Sequence, residues 1–404
     1  MKTWMPAVLL LLNAPLVLAE APKAQPNDKH VWITLGADAI APMQEAFAAE
    51  GWDAPTALRR QEHAGVFRVK ESQLTRLALL MHEKFERCAG FITYDTQEEA
   101  LASLTPAAPA ASQNAISYAL TNAATVNTLL GTLSDANILS TITSLSAFPT
   151  RHQNSQGGVD AAAWVLAKWQ GFVTGTGRSD VTVEYFRHTG WPQPSVIFTI
   201  RGTTLPNEVV IVGGHLDSIS SGSTAPGADD DASGVATFTE VIRAAMVRGY
   251  RPERTVKFMA YAAEETGLRG SREIAAWHKS NNVNVVGVLQ LDMTNYRGSS
   301  VEVGIVTDYT NASQNQFIRN LIATYVGISH TNTSCGYACS DHASWHNQGY
   351  PASIPFEALV SQMNPYIHTT GDTLVRSGNS AEHALKFSKI AAAYVAELAK
   401  GTAQ

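Results

Sequence analysis

Histidine and carboxylate side chains stand at the ends of two apolar runs. His215 comes just after the run 209–213, and Asp292 closes the run 285–291. Ligands of open α/β sheets bind at the carboxyl ends of the strands. An Asp that ends such an apolar strand costs free energy unless it is paired or bound to a metal. Both residues are therefore candidate metal ligands, with Asp217 close enough to hold the other ring nitrogen of His215.

Carboxylates also stand side by side in two places. Asp229, Asp230 and Asp231 form a row between glycines, and Glu264 and Glu265 follow another apolar run. Neighbouring carboxylates repel one another, and a bound dication offsets that repulsion. An alternative is that Asp231 or an adjacent Asp caps the helix that follows. Of the two glutamates, one can bind a metal while the other handles a proton.

His368, isolated in a polar loop, completes the set. Two histidines with several carboxylates are the mixture that a zinc pair prefers, whereas magnesium favours oxygen ligands alone. Each signal by itself also fits a hydrogen-bonded structural residue or a solvated turn. His342 and His346 are spaced as in a helical zinc motif, but that motif needs Glu directly after the first His, and Ala343 stands there. We expect this second pair to serve packing or hydrogen bonding.

The elements that position these residues alternate between helix and strand from about residue 118, which predicts an α/β fold: a mixed, largely parallel sheet with helices on both faces. A small α+β unit precedes it. The predicted strands cover 31–35, 65–69, 91–94, 181–185, 195–201, 209–213, 256–262, 285–291 and 301–306. The predicted helices cover 43–50, 72–86, 137–148, 159–173, 233–248, 270–279, 317–326 and 382–400.

Three segments of the chain are expected. Residues 1–19 have a charged start, a short apolar stretch and small residues at the end, which indicates a secretory signal; an N-terminal anchor is the alternative. Residues 20–107 are a candidate removable propeptide that ends in an Ala/Pro-rich linker, the alternative being a permanent domain. Removing this segment and its odd Cys88 leaves two cysteines. Residues 108–404 form the predicted catalytic domain.

The net charge limits the classes of partner, and the cysteines bear on the compartment. The formal net charge of -6 gives no reason to expect nucleic acid or a membrane surface. Cys335 and Cys339 are four positions apart around Gly336, and in an oxidising compartment they can close as a disulfide. Free thiols or a metal site are the alternatives, the latter weakened because a second cysteine pair is missing.

From about 118 to 400 the sequence resembles the secreted bacterial leucyl aminopeptidases of the co-catalytic two-zinc peptidase family, typified by the Vibrio/Aeromonas enzyme. The segments that carry the resemblance are GGHLDS, APGADDDASG, FMAYAAEE, LQLDMTNY, CGYACSDHASWH and NPYIHTT. The block 27–100 is similar to the removable prosegment of that family, though less distinctly. The resemblance implies the zinc-dependent exopeptidase fold and hydrolysis of the first peptide bond of peptides with apolar, Leu-like first residues.

The resemblance also implies roles for single residues. Asp230 would bridge two Zn²⁺ ions, with Glu265 and His368 on one and His215 and Asp292 on the other. Glu264 would be the general base and acid, and Asp217 would hold His215. The Asp230–Asp231 peptide bond can be cis in such enzymes. Cys335 and Cys339 would form a disulfide, with Tyr337 between them facing the substrate. The implied pocket wall consists of Met293, Val306, Ile354, Phe356, Val360, Met363 and Ile367.

The expected partners are peptides with free N-termini and the chain's own propeptide, as an inhibitor or a folding aid. The expected protein is a secreted monomer. Within hydrolases, carboxypeptidases and glutaminyl cyclases share the scaffold and remain alternatives. A binding module without catalysis is a further alternative, but it predicts lost ligands or a lost Glu264, and all of them are present.

Overall fold

The computed structural model describes residues 28–105 and 116–404. They form a small N-terminal domain, 28–105, and a large domain, 116–404. The predicted signal at 1–19 lies outside the described residues, as does the predicted linker beyond Thr105. Among the described residues, no helix combines the length and the apolar character that crossing a membrane requires.

The small domain is a four-stranded antiparallel sheet in the order β2-β3-β1-β4. Its strands are β1 (His30–Gly36), β2 (Ala57–Arg60), β3 (Ala64–Lys70) and β4 (Phe91–Tyr94), and its helices are α1 (Ile40–Ala49), α2 (Leu74–Phe85) and α3 (Gln97–Ala102). Alternate residues of β1 point to opposite faces. Val31, Ile33 and Leu35 pack against α1 and α2, whereas Trp32 lies on the face that packs against the large domain.

The large domain is built on a six-stranded mixed sheet in the order β12-β9-β7-β8-β6-β5. The pairs from β12 to β8 are parallel, and those of β6 with β8 and β5 are antiparallel. Its strands are β5 (Val181–Phe186), β6 (Ser195–Ile200), β7 (Leu205–His215), β8 (Arg254–Tyr261), β9 (Asn284–Gln290) and β12 (Ala352–Ser353). A second sheet has the order β11-β10-β13, formed by β10 (Val303–Val306), β11 (His330–Thr333) and β13 (Pro355–Phe356).

Helices cover both faces of the large sheet. They are α4 (Ala123–Leu130), α5 (Asp135–Ser146), α6 (Gln156–Val173), α7 (Ala232–Val247), α8 (Arg269–Ser280), α9 (Ala312–Leu321), α10 (His342–Asn347) and α11 (Glu382–Ala399). On β7, Val210 and Val212 face the core that contains α7 and α11, while Ile211 faces α8 and α10. The strand is thus buried on both sides, which explains its continuous apolar run. The predicted α/β fold class is confirmed.

Several boundaries and short elements differ from the prediction. Strand β2 was not predicted, because three of its four residues are exposed and carry no apolar alternation. Helix α4 was also missed. The helix expected at 317–326 begins earlier, at Ala312, because the Asn311 side chain accepts a hydrogen bond from the Gln314 backbone N–H and caps it. It continues into a single π-helical turn over Ile322–Val326.

Candidate metal centre and active site

Three neighbouring parallel strands, β9, β7 and β8, end at one edge of the large sheet, and the predicted centre forms there. His215 is the last residue of β7, and the segments after β8 and β9 carry the glutamates and Asp292. Each of the six side chains is at most 3% exposed: His215, Asp230, Glu264, Glu265, Asp292 and His368. Burial of so many carboxylates demands a compensating charge.

The two carboxylate oxygens of Asp230 face two different histidines. Oδ1 lies 2.9 Å from Nε2 of His215, and Oδ2 lies 3.2 Å from Nε2 of His368. Glu265 Oε2 is 2.7 Å from Nε2 of His368, and Asp292 Oδ1 is 3.6 Å from Nε2 of His215. Asp230 therefore lies between the two histidines, with Glu265 beside His368 and Asp292 nearest His215.

The donor set suits bound zinc. Among the described residues, both carboxylate oxygens of Glu264, Oε1 of Glu265, Oδ1 of Asp292 and Nδ1 of His368 lack a hydrogen-bond partner although they are buried. Such groups normally have partners, and a metal ion supplies one. Mixed imidazole and carboxylate ligands are typical of zinc.

The pKa values reflect this crowding. Burial raises the pKa of Glu265 to about 7, against the opposing effect of His368. Burial also raises the pKa of Glu264 well above its usual range, and the nearby Asp341 and Glu265 add to this. For Asp230 burial acts in the same direction, but hydrogen bonds to His215 and His368 prevail and lower its pKa.

Asp231 has a different task from Asp230. Its carboxylate accepts hydrogen bonds from the backbone N–H groups of Gly234 at 2.8 Å, His215 at 3.0 Å and Met293 at 3.2 Å. It lies near His215 and Asp292, yet these backbone groups occupy its oxygens. Asp231 is the N-cap of α7, which settles the alternative that the sequence left open. The Asp230–Asp231 peptide bond is cis.

Asp217 supports two parts of the centre. Its carboxylate accepts hydrogen bonds from the backbone N–H of Glu264 at 3.0 Å and of Glu265 at 3.1 Å. The same carboxylate lies 3.6 Å from Nδ1 of His215, while the Asp217 carbonyl oxygen is closer to that nitrogen, at 3.2 Å. Asp217 therefore positions the glutamate segment in addition to His215.

Left-handed backbone conformations aim several of these side chains. Ala263, Met293 and His368 have φ values of 57°, 57° and 54°. Non-glycine residues rarely adopt this region, and strain of this kind concentrates at functional sites. Ala263 precedes Glu264, Met293 follows Asp292, and His368 is itself a candidate ligand. The sharp turns let the loops present side chains toward one point.

Two further residues hold the loops in place and were missed in the sequence. Arg151 is fully buried and donates hydrogen bonds to the carbonyl oxygens of Leu216 at 2.8 Å and Gly227 at 2.9 Å, and also to Pro226. Asp372 accepts hydrogen bonds from the backbone N–H groups of Asp229 and Asp230, each at 3.1 Å. Asp372 shares the polar loop of His368, which could have drawn attention to it. Arg151 has no local signal in the sequence.

The expected pocket residues lie together beside the metal centre. Met293, Val306, Ile354, Phe356 and Ile367 form one buried cluster, with Val360, Met363 and Tyr337 partly buried at its margin. Cys335 and Cys339 form a disulfide in the same cluster, as predicted. The wall of this pocket is mostly apolar, with Asp292, Ser340 and Tyr337 as its polar members.

The small domain reaches into this pocket. Cys88 is 7% exposed and belongs to the same buried cluster. Its backbone N–H donates a hydrogen bond to the hydroxyl of Tyr337 at 3.0 Å. The ring centre of His82 lies 5.0 Å from that of His368. The tip of the small domain therefore covers the edge of the sheet where the candidate ligands meet.

Other histidines serve structural roles. His342 is buried, its Nε2 lies 3.1 Å from the carbonyl oxygen of Asp308, and burial lowers its pKa to about 3. Nε2 of His188 lies 2.8 Å from the hydroxyl oxygen of Ser195, and its Nδ1 lies 2.7 Å from a carboxylate oxygen of Glu273. This arrangement resembles a nucleophilic triad. Ser195 is fully buried, however, and its hydroxyl accepts a hydrogen bond from the Ala262 backbone N–H, so this group holds β6 against β8.

Comparison with known proteins gives consistent matches. The sequence pattern of Peptidase family M28 matches residues 195–395. The chain is 37% identical over 310 residues to the probable leucine aminopeptidase 1 of Trichophyton verrucosum, a match that covers 72% of this chain and 82% of that protein. It is 38% identical over 268 residues to a probable aminopeptidase of Saccharomyces cerevisiae, covering 64% of this chain and 71% of the yeast protein.

Among solved structures, the LapA aminopeptidase of Legionella pneumophila superposes with a TM-score of 0.79 at 27% identity. The superposition covers 92% of this chain and 99% of that chain. The large domain alone cannot account for 92% of the chain, so the similarity extends into the small domain.

Proposed function

Because the chain belongs to peptidase family M28, we propose that it is a secreted metallo-aminopeptidase of the Vibrio/Aeromonas two-zinc type. It removes apolar, Leu-like residues from peptides with free N-termini. Relatives named as leucine aminopeptidases support the reaction, and the donor set at the strand ends supports the metal. The proposal further holds that the chain is of the bacterial leucyl aminopeptidase type.

The observation that carries the proposal is the placement of Asp230 between His215 and His368. Its two oxygens face the two imidazoles at 2.9 and 3.2 Å. One zinc ion would be held by His215 and Asp292, the other by Glu265 and His368, and Asp230 would bind both. Two zinc ions bound here would lower the pKa of a water molecule and polarise the carbonyl group of the substrate.

The chain's own residues carry the remaining steps. Glu264 stands beside a ligand, is fully buried, and both its carboxylate oxygens lack a hydrogen-bond partner among the described residues. It accepts a proton from the attacking water and returns it to the leaving amine. Tyr337 donates a hydrogen bond from its hydroxyl to the oxygen that gains charge in the transition state. The disulfide between Cys335 and Cys339 holds Tyr337 in place for this role.

The apolar cluster beside the centre takes the first side chain of the peptide. Met293, Ile354, Phe356 and Ile367 line it and offer no charged partner, which suits Leu and similar residues. Residues 1–19 act as the export signal and 20–107 as a propeptide, so the mature enzyme works outside the cell as a monomer. The disulfide fits an oxidising compartment.

The competing activities are separable by substrate. A glutaminyl cyclase of Porphyromonas gingivalis shares the fold at 15% identity, which speaks for the fold alone. An aminopeptidase cleaves leucyl amides with a free amino group and leaves N-blocked peptides intact. A carboxypeptidase does the reverse, and a binding module cleaves neither.

A Glu264→Ala variant tests the mechanism. With the small domain removed and zinc supplied, we expect kcat on leucyl amides to fall by about 10²–10⁴-fold, because proton transfer is lost. The zinc content should remain at two ions per chain, since Glu264 is not a ligand. Glu382→Ala, an exposed glutamate at the start of α11, is the matched control and should keep full activity. A Glu264→Ala enzyme with unchanged kcat would refute the assignment.

A further inference from the structure

We propose that residues 86–90 of the small domain act as a substrate mimic. The Cys88 side chain occupies the pocket for the first residue of a substrate. A cut in the linker therefore leaves the protein inactive until the small domain dissociates. The inference rests on the proposed function for the identity of the pocket. It assigns this surface of the large domain a partner, residues 28–105 of the same chain, and locates the step that releases activity.

Cys88 fills the apolar pocket. It packs in one buried cluster with Met293, Ile354, Phe356 and Ile367, the residues assigned to the first side chain of the substrate. The cavity that remains beside Cys88 measures about 10 Å³, room for roughly one water molecule. A peptide side chain cannot enter while Cys88 is there.

The backbone of the segment also forms a hydrogen bond with Tyr337, the proposed oxyanion donor. The Cys88 N–H donates to the Tyr337 hydroxyl at 3.0 Å, so that oxygen is engaged as an acceptor. The guanidinium of Arg87 lies 4.9 Å from the centre of the Tyr337 ring and covers it from outside. The small domain thus covers both the pocket and the Tyr337 hydroxyl, the proposed oxyanion donor.

A second contact reaches the segment that carries the glutamates. In β4, Thr93 donates its hydroxyl to the carbonyl oxygen of Thr266 at 2.8 Å and its backbone N–H to that of Gly267 at 3.0 Å. A Cβ atom on Gly267 would lie 2.4 Å from the Thr93 hydroxyl, and the φ of Gly267 is +99°. Only glycine permits so close an approach at this position.

Ion pairs and apolar contacts hold the rim of the interface. Arg269 pairs with Glu71 at 2.6 Å, and Arg272 pairs with Asp95 at 3.2 Å and Glu99 at 3.1 Å. The face of the small sheet that carries Trp32 packs on Leu268, Ala338 and Ala343 of the large domain. None of these contacts depends on the linker. Cutting the linker therefore removes the covalent connection and leaves the interface intact.

The test uses the full-length chain with a recognition sequence for a specific endoprotease placed within 106–112. After zinc loading and cleavage, size-exclusion chromatography at micromolar concentration shows whether the two fragments stay together. Hydrolysis of leucyl p-nitroanilide is measured before and after dilution. We expect the fragments to co-elute, the rate per large domain to rise by about tenfold or more on dilution, and higher substrate concentrations to relieve the inhibition.

Three variants sharpen the test. Cys88→Arg places a charge in the pocket and should let the fragments separate at micromolar concentration, with activity about tenfold higher before dilution. Cys88→Ser keeps the size of the side chain and should stay latent. Leu58→Arg adds the same charge at an exposed position of β2 and should behave as the unmodified chain.

The possible results separate the two proposals. Three results would overturn the proposed substrate mimic. The fragments could separate as soon as the linker is cut, or substrate could fail to relieve the inhibition. The third is a Cys88→Ser protein that is as active as Cys88→Arg. If the separated large domain has no activity, the proposed function fails. In that case co-elution of the three variants still decides whether Cys88 anchors the small domain.

Discussion

Oδ1 of Asp217 accepts a hydrogen bond of 3.0 Å from the backbone N–H of Glu264. This bond joins the loop after β7 to the loop after β8, so the side chain that orients a metal ligand also fixes the proposed base. Its second oxygen does the same for Glu265. The two halves of the centre are therefore coupled through a single buried carboxylate.

Replacing Asp217 by Asn should damage both functions. Asn offers one acceptor oxygen in place of two, so one backbone N–H of the glutamate segment is left unpaired. We expect zinc affinity to fall by about 10–100-fold, and kcat to fall even when zinc is saturating. Zinc titration and steady-state kinetics measure the two effects. A loss that excess zinc restores completely would limit Asp217 to metal binding.

Substitution of the ligands should distinguish Asp230 from His368. Because Asp230 faces both histidines, Asp230→Ala should lower the zinc content from two ions per chain to none at submicromolar zinc. His368→Ala should leave the ion held by His215 and Asp292. Elemental analysis after dialysis gives the counts, and His63→Ala, an exposed histidine, is the control. Equal losses in the two ligand variants would contradict the bridging role.

Arg151 should matter for stability although it touches no ligand. Its guanidinium is fully buried and donates to several carbonyl oxygens of the loops that carry His215 and Asp230. In Arg151→Met these oxygens lose their donors, at a cost of about 1–3 kcal/mol each. We expect unfolding by urea at clearly lower concentrations than for the unmodified chain. Arg59→Met, on the exposed strand β2, should leave the midpoint in place.

Acid should destabilise the protein partly through His342. Burial lowers its pKa to about 3, below the 6.5 of an unfolded histidine. Between these values the unfolded chain binds a proton that the folded chain does not, so stability falls as pH drops from 6.5 toward 3. The contribution is about 1.4 kcal/mol per pH unit. In urea titrations, the free energy of unfolding of His342→Gln should fall less steeply between pH 6 and pH 4 than that of the unmodified chain. An equally steep fall would exclude a contribution of His342 to acid destabilisation.

The sequence could single out the candidate ligands because their signals are local. His215 and Asp292 each end an apolar run, and the carboxylate pairs stand in short loops, so strand-end chemistry marks them without knowledge of the packing. Their distribution over two sites came from the family resemblance, since no pattern in the chain tells which oxygen of Asp230 faces which histidine.

The missed features depend on contacts that are distant along the chain. Arg151 acts on carbonyl groups more than sixty residues away. Thr93 meets Gly267 across the two domains, and neither residue stands out in its own segment. Strand β2 forms through pairing with β3 and has no apolar face of its own. Sequence periodicity reports burial along one element, so contacts of this kind stay hidden.

The carboxylate of Glu397 in α11 accepts hydrogen bonds from the backbone N–H groups of Thr121 at 2.9 Å and Asn122 at 3.0 Å. An enzyme that shortens polypeptides from their amino end can also digest its own chain. A cut at 106–115 would create a new amino end on which it could act. Trimming needs a loose, extended end. Here the chain is tied to the last helix within a few residues, so self-digestion should stop before Thr121.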